Sequence, residues 1–252
     1  MKIIFNGDDL GISRSCNWAM YDCFKYGVMR SASLMVNMPY AKEAIEIFKD
    51  CSDFSIGLHF NLTVGKPIIE DLYSLVDSNG NFTKTILEDS TRVVEEEIRK
   101  ELYAQFERYV EICGKIPDHI NSHHDISRIQ YASDIQMEIA QKYNIPVREC
   151  FFKTYEYKEC TGHLAARLPF SFEKCMEIMN DVNSFIDAFS QEQIASDAIY
   201  EIPAHPGYID QNLVNISSYT TQRYLDADFF MNEKLSKWID EKKIVLATYK
   251  EL

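Results

Sequence analysis

The chain carries carboxylate and imidazole side chains in a pattern that suits metal-dependent hydrolysis. Asp8 and Asp9 are adjacent and follow an apolar run, His59 lies in GLHFNL, and His123 lies in HINSHHD. Two histidines and one carboxylate are a common ligand set for a hydrolytic metal such as Zn²⁺, and they leave positions for water and substrate. The other carboxylate of the Asp pair is then free to take a proton from that water.

Each of these motifs also has a purely structural interpretation. An Asp pair after a strand often forms a turn or a helix cap, and a histidine in a strand is often a hydrogen-bonded core residue. His119 is a rival ligand to His123, although in a strand it lies deeper and away from the rim. The motifs nevertheless all fall at the carboxyl ends of predicted strands, where parallel α/β proteins bind ligands, so one shared site is the favoured hypothesis.

His205 is a second kind of candidate. It begins the sequence HPGY after a predicted strand, and the Pro-Gly pair predicts a rigid turn directly behind it. This placement suits a general acid, while a structural turn histidine is the alternative.

The elements that must position these residues alternate along the chain. The predicted strands cover residues 2–6, 31–37, 54–62, 119–122, 147–152, 198–203 and 243–249. The predicted helices cover residues 13–26, 40–51, 91–113, 132–143, 170–189 and 219–240, and residues 154–169 are predicted to be irregular. Strands separated by helical crossovers predict a parallel sheet in one α/β domain over residues 1–252, either a barrel or an open doubly wound sheet. Residues 63–90 are long for a connection and predict a lid or insert loop.

Composition excludes some classes of partner. The 26 basic and 39 acidic residues give a net charge of −13, which argues against a nucleic-acid partner and against anionic membrane surfaces. The seven cysteines are odd in number and have no CxxC spacing, which indicates reduced thiols in a cytoplasmic protein. No signal peptide or membrane-spanning run is visible.

Four motifs resemble those of the YdjC-like carbohydrate deacetylases, which include chitooligosaccharide deacetylases: NGDDLGIS, GLHFNLTVGKP, KIPDHINSHH and AHPGYID. The resemblance implies a distorted (β/α) barrel of about seven parallel strands, related to the polysaccharide deacetylases. It implies a divalent metal ion (Mg²⁺ or Zn²⁺) and removal of acetyl groups from N-acetylated sugars, with diacetylchitobiose or short chitooligosaccharides as the expected substrates. It also implies a homodimer.

The resemblance further implies a role for each site residue. Asp8 matches the catalytic base, Asp9, His59 and His123 match the metal ligands, and Arg148 matches an arginine that steadies the base. The HPGY motif brings His205 into the pocket as the acid. The residues expected to contact the substrate are Asn61, His124 and Tyr208. Separately, Tyr155, Tyr157 and Tyr208 lie in predicted loops near strand ends, where an aromatic ring can stack on a sugar, although an ordinary loop aromatic is the favoured interpretation for each. Asp125 and Ser127 stand where the family often has histidines, so contacts with the substrate are expected to differ there.

Two other functions are compatible with the same scaffold. One is a different metal-dependent hydrolase, such as a phosphoesterase, although that chemistry usually needs a second metal and more basic groups. The other is a non-catalytic sugar-binding protein, which would not need Asp8. A two-carboxylate glycosidase is disfavoured because its carboxylates should come from different strands.

Overall fold

A computed structural model describes residues 1–148, 165–166, 169–191 and 199–252, and the strands within those ranges form one parallel sheet. The strands are β1 (Lys2–Leu10), β2 (Ser31–Leu34), β3 (Ser55–Phe60), β4 (Ile120–Ser122), β5 (Val147–Arg148), β6 (Ala165–Ala166), β7 (Ile199–Ala204) and β8 (Val245–Leu246). Their spatial order is β6-β5-β4-β3-β2-β1-β7, and β8 pairs with the start of β1. The sheet curls into a half-barrel within a single α/β domain, which confirms the predicted fold class.

Helices connect the parallel strands. They are α1 (Arg14–Tyr26), α2 (Ala41–Phe48), α3 (Glu95–Cys113), α4 (Ala132–Tyr143), α5 (Phe172–Ile178), α6 (Val182–Gln191), α7 (Gln211–Ile216), α8 (Thr221–Phe230) and α9 (Glu233–Glu241). Short 3₁₀ turns occupy Lys84–Leu87, His123–Arg128 and Tyr249–Glu251. No helix within the described ranges is both long and apolar enough to cross a membrane.

Helix-boundary signals in the sequence were largely correct. Ser13 caps α1 by accepting a hydrogen bond from the Cys16 amide, and Gly114 ends α3 in a left-handed conformation with φ 69°. The predicted helix over residues 170–189 was wrong as one element, because Asp181 accepts a hydrogen bond from the Ser184 amide and starts a new helix there. The helix α7 was not predicted; the side chain of Asp210 caps its first turn.

Strand lengths differ from the predictions in both directions. The strand β1 extends to Leu10, so the prediction that the Asp pair follows the strand was wrong: β7 pairs with residues 2–7, and β2 pairs with Asn6, Gly7 and Leu10. Residues 165–166 form a strand rather than the predicted irregular segment, since they pair with β5. The predicted closing strand is reduced to β8. Residues 149–152 of the predicted fifth strand lie outside the described residues.

A glycine allows β3 and β4 to lie close together over a buried histidine. A Cβ atom on Gly57 would lie 2.4 Å from the ring of His119, which is too close for any side chain. His119 is fully buried, stacks on Tyr249 at 3.8 Å between ring centroids, and lies 2.9 Å from Ser33 Oγ through its Nε2. It therefore belongs to the interior beneath the carboxyl ends of the strands, as expected for the deeper of the two candidate histidines.

Candidate active site

The end of β1 departs from a regular strand at the Asp pair. The register between β1 and β2 shifts between Gly7 and Leu10, and Asp9 adopts a left-handed backbone with φ 68°. A bulge of this kind re-aims side chains and is common beside active sites. As a result, Asp8 and Asp9 are both buried but bond to different partners.

Asp9, His59 and His123 come together at the carboxyl ends of β1, β3 and β4. Their ligand atoms lie within 4.8 Å of one another. Asp9 Oδ1 is 2.7 Å from His123 Nδ1 and 3.1 Å from His59 Nε2. In the part of the chain that the structure describes, this is the only group of three or more His, Cys, Asp or Glu residues arranged to hold a metal ion.

The hydrogen bonds of His59 indicate why this group fits a cation. Its Nδ1 lies 2.7 Å from Asn121 Oδ1, and the Asn121 amide nitrogen donates to Ser33 Oγ, so the Asn121 oxygen accepts and Nδ1 carries the hydrogen. In neutral His59 the Nε2 lone pair then faces the Asp9 carboxylate, an arrangement that requires a cation or a proton between them. The buried Nε2 atoms of His59 and His123 have no hydrogen-bond partner within the described chain.

Electrostatics around the three residues also favour a cation. Burial lowers the pKa of His59, but the nearby carboxylates of Asp8 and Asp9 outweigh it and raise that pKa above its usual value. Burial would raise the pKa of Asp9, yet His123 and Arg223 hold it well below the usual range. Asp9 therefore stays ionised and turns a charged oxygen toward the two histidines.

Asp8 is held by a bidentate arginine. Arg148 donates from Nη1 to Asp8 Oδ2 and from Nη2 to Asp8 Oδ1, both at 2.7 Å. Asn6 and Asn121 also donate to Oδ1, so Oδ2 has the fewer partners. Burial would raise the pKa of Asp8, but the Arg148 guanidinium reverses that effect and holds the pKa well below the usual range. Asp8 is an ionised carboxylate with a free acceptor position on Oδ2.

Arg223 holds the other ligand carboxylate. Its Nη2 donates to Asp9 Oδ2 at 2.6 Å, and its Nε donates to the carbonyl of Tyr219. With Oδ2 held in this way, Asp9 turns Oδ1 toward the two histidines. Arg223 thus sets which Asp9 oxygen is available as a ligand.

His205 lies beside a second buried acid. Its backbone amide donates to Asp226 Oδ2 at 2.8 Å, its ring Nδ1 lies 3.9 Å from the same oxygen, and its ring packs edge-on against Tyr219. Burial lowers the pKa of His205 to about 4, against the opposing effect of Asp9 and Asp8, and burial raises the pKa of Asp226 to about 6. His205 is therefore neutral at pH 7.

The three residues expected to contact substrate have different surroundings. Asn61 is buried and uses its side chain to bond Asn37 and the backbone of residues 63 and 64. Tyr208 donates its hydroxyl to Asp22 at 2.7 Å. His124 is exposed, and its ring lies 3.7 Å from that of His123. Tyr155 and Tyr157 lie outside the described residues.

The position of His124 depends on a turn that the sequence did not predict. A continuing strand would point it away from His123, but His124 and Asp125 are both left-handed, with φ 55° and 50°. Such backbone is uncommon outside glycine and clusters at functional sites. Thr63 Oγ1 lies 2.9 Å from His124 Nδ1 and fixes the ring at the rim.

Sequence reasoning missed the polar residues that hold the site from behind. Asn6, Asn121 and Glu201 are buried within strands, and a lone polar residue in a buried strand is the signal that could have identified them. Arg223 and Asp226 lie on a helix far along the chain, and no local pattern connects them with β1.

Comparison with known proteins agrees with this geometry. Residues 2–241 match the family model described as YdjC-like protein. The chain belongs to the YdjC-like family. This confirms the resemblance seen in the motifs. A YdjC-like relative from Clostridium beijerinckii, named carbohydrate deacetylase, is 31% identical over 258 residues that cover 100% of both chains.

Solved structures extend the comparison of this YdjC-like chain. A protein from Enterococcus faecalis V583, described as a candidate cellobiose-phosphate cleavage protein, aligns with a TM-score of 0.82 at 28% identity, covering 99% of this chain and 98% of that one. The peptidoglycan N-acetylglucosamine deacetylase Bc1960 aligns with a TM-score of 0.50 at 12% identity, covering 98% and 85%. The second match supports the polysaccharide-deacetylase-like fold alone.

Proposed function

We propose that this YdjC-like protein is a metal-dependent hydrolase that removes the acetyl group from N-acetylated sugars. The observation that carries the proposal is the convergence of Asp9, His59 and His123, whose ligand atoms lie within 4.8 Å of one another, beside the arginine-held carboxylate of Asp8. The relatives named carbohydrate deacetylases support the same reaction class.

Asp9, His59 and His123 would hold the cation, Mg²⁺ or Zn²⁺. When bound there, it would supply Lewis-acid chemistry, activating water and polarising the acetamide carbonyl. Arg223 keeps Asp9 ionised and correctly turned, and Asn121 keeps the hydrogen of His59 on Nδ1, away from the cluster. These contacts prepare the ligands before any cation binds.

Asp8 acts as the general base. Its Oδ2 takes a proton from the attacking water, while Arg148 keeps the carboxylate in place and ionised. Arg148 also makes Asp8 a weaker base than a free carboxylate. Asp8 can therefore take the proton only from water whose own pKa has been lowered.

His205 acts as the general acid toward the departing amine. Because the ring is neutral in the resting site, it becomes a donor only after gaining a proton. In the balanced reaction, the proton that Asp8 takes from water passes to His205, and His205 gives it to the amide nitrogen as the C–N bond breaks. Asp226 lies where it stabilises the protonated ring.

The substrate site lies at the rim formed by residues 63–90 and the turn after β4. His124 is exposed there and is held by Thr63, so it is the first candidate for contact with the sugar. Asn61 shapes this rim rather than presenting a free polar group, and Tyr208 would contribute an aromatic surface. Closure of residues 63–90 as a lid stays a prediction.

We propose diacetylchitobiose or short chitooligosaccharides as substrates. The test incubates the protein separately with diacetylchitobiose, with N-acetylglucosamine and with a phosphorylated disaccharide that has no acetyl groups. Released acetate and released phosphate are both measured. Acetate from the N-acetylated sugars alone is expected. Phosphate release, or no acetate from either N-acetylated sugar, would overturn the proposal in favour of the phosphoesterase or sugar-binding alternatives, which the deacetylase relatives do not favour.

Two further features of the proposal concern the whole protein. The scattered cysteines and the net charge of −13 support a cytoplasmic enzyme that contacts neither nucleic acid nor membranes. The homodimer implied by the family resemblance stays a prediction, and light scattering on the purified protein tests it.

A further inference from the structure

A buried series of side chains connects Asp8 with the C-terminal turn. Beyond its bonds to Asp8, Arg148 donates from Nε to Glu201 Oε2 at 2.9 Å and from Nη2 to Glu201 Oε1 at 2.6 Å. The hydroxyl of Tyr249 donates to Glu201 Oε2. Glu201 is fully buried, Tyr249 is 1% exposed and Arg148 is 6% exposed, so none of them lies on the surface.

The two carboxylates together fix the orientation of the guanidinium. Asp8 occupies the edge formed by Nη1 and Nη2, and Glu201 occupies the edge formed by Nε and Nη2. A guanidinium is a planar, rigid fork, so it cannot rotate within its plane or tilt without weakening bonds to both carboxylates. Glu201 therefore determines where Arg148 presents its two donors to Asp8.

Tyr249 closes this arrangement from the far side. Its ring stacks on His119, with 3.8 Å between centroids and 13° between planes, and His119 contacts Ser33. Ser33 Oγ accepts hydrogen bonds from Asn6 and Asn121, the same two amides that donate to Asp8. The contacts form a closed circuit that starts and ends at Asp8: Arg148, Glu201, Tyr249, His119, Ser33 and Asn6.

The circuit has a consequence for the reaction. Glu201 and Tyr249 lie behind Arg148, and neither hydrogen-bonds to Asp9, His59 or His123 in the described chain. Full burial also prevents them from touching a sugar. Their influence on the reaction passes to Asp8, directly through Arg148 on one side and through His119, Ser33 and Asn6 on the other.

We propose that Glu201 and Tyr249 are positioning residues that hold Arg148, and through it Asp8, in the geometry needed to take a proton from water. This inference rests on the proposed role of Asp8 as the base. It assigns a role in catalysis to the C-terminal 3₁₀ turn, whose Tyr249 is buried against His119.

The kinetic test uses Tyr249→Phe and Glu201→Gln, with Tyr109→Phe as the matched control. Tyr109 is an equally buried tyrosine whose hydroxyl donates to the carbonyl of Ile56, outside the circuit. Loss of one hydrogen bond is expected to lower kcat about 5-fold for Tyr249→Phe. Misplacement of the base is expected to lower kcat about 100-fold for Glu201→Gln. KM and metal affinity stay within about twofold of the native protein, since the lost interaction acts on the reacting state, and Tyr109→Phe leaves kcat of the folded protein unchanged.

A second measurement does not depend on any reaction. Nitrogen-15 NMR of the arginine side chains reports whether the Arg148 guanidinium rotates. Separate, slowly exchanging Nη signals are expected in the native protein and in Tyr109→Phe, with merging of those signals in Glu201→Gln and broadening in Tyr249→Phe.

The two measurements separate failure of this inference from failure of the proposed function. One outcome is that the Arg148 Nη signals are separate in the native protein and merge in Glu201→Gln, while the native protein releases no acetate. That outcome would support the positioning role and overturn the deacetylase assignment. Unchanged Arg148 signals in both variants, or native kcat in the folded variants, would overturn the positioning role.

Discussion

At the scale of single residues, the two adjacent aspartates have opposite hydrogen-bonding environments. Asp8 is held by Arg148, Asn6 and Asn121, while Asp9 is held by Arg223 and faces the two histidines. In the proposed mechanism, this keeps Asp8 available for a proton and Asp9 available for a cation. The bulge at the end of β1 re-aims the side chains there, so two neighbouring residues can face different partners.

Replacing Asp8 tests the role of the base. Asp8→Asn is expected to lower kcat by about 100- to 10,000-fold, because the amide cannot accept the proton of water. Metal binding, measured by calorimetric titration, should be retained because Asp9, His59 and His123 are unchanged. Activity within a few-fold of the native protein would show that another group takes the proton.

Replacing Asn121 tests how the hydrogen of His59 is controlled. Asn121→Ala removes the acceptor for His59 Nδ1, and we expect metal affinity to fall about 10- to 100-fold, as is typical when a partner of a ligand histidine is lost. Gln105→Ala is the control, since Gln105 is an equally buried amide that bonds the backbone of Asn61. Equal metal affinities in the two variants would contradict the account.

Residue type and local context were enough to predict the four central residues of the site. They were not enough to predict the residues that reach the site from distant elements. Asp8, Asp9, His59 and His123 are marked by polar chemistry next to apolar strands, and the structure brings them together. Glu201 also interrupts an apolar strand, but a single acid there has no spacing pattern that suggests its partner. Arg223 reaches Asp9 from α8, and only the tertiary fold determines that contact.

At the scale of elements, α3 fixes the long segment that follows β3. Glu101 accepts hydrogen bonds from the backbone amides of Ile68 and Ile69, and Glu97 accepts from those of Tyr73 and Ser74. These two acids are four residues apart and so lie on one face of the helix. A segment that looks like a free loop in the sequence is therefore bonded to a helix at two points.

Removing the Glu97 carboxylate should make the segment after β3 more mobile. Glu97→Ala leaves the amides of residues 73 and 74 without an acceptor, and we expect the free energy of unfolding to fall by about 1–3 kcal/mol. Hydrogen exchange of residues 70–76 should accelerate.

Glu96→Ala is the matched control, because Glu96 is exposed on the same helix and pairs only with Lys100 at 3.6 Å among the described contacts. Equal exchange rates in the two variants would contradict the anchoring role of α3.

The periodicity of apolar residues predicted most helices and strands well. It failed where a capping hydrogen bond determines the end of a helix. The predicted helix over residues 132–143 coincides with α4, because its apolar spacing and its Asn144 cap agree. The break between α5 and α6 depends on a hydrogen bond from Ser184 to Asp181, which outweighs helical periodicity. Strand ends were least predictable, since pairing with neighbours and not local composition determined how far β1 extends.

At the scale of the whole molecule, the sheet brings distant segments to one edge. Alternating strands and helices predicted a parallel sheet, because parallel strands need crossover connections, but they did not choose between a barrel and an open doubly wound sheet. The order of strands was not predictable, since β7 pairs with β1 although residues 11–198 separate them. That pairing brings His205 toward the Asp pair and aligns Glu201 with Ile4, from where its carboxylate reaches Arg148.

Binding of a cation at this edge should stabilise the whole domain. At a metal concentration about 100 times the Kd, the free energy of unfolding should rise by about 2.7 kcal/mol. For a domain of this size that corresponds to a rise of roughly 5–10 °C in Tm. Calorimetry should find the same rise in Asp8→Asn and none in Asp9→Asn; a rise that survives in Asp9→Asn would mean that the cation binds elsewhere.

The most direct test of the account is acetate release from diacetylchitobiose by metal-free protein as Zn²⁺ or Mg²⁺ is added back in measured steps. The account predicts no acetate without metal, and a rate that rises linearly until one ion is bound per chain. Undiminished acetate release from protein shown to be metal-free would contradict it, as would a fully loaded protein that releases none.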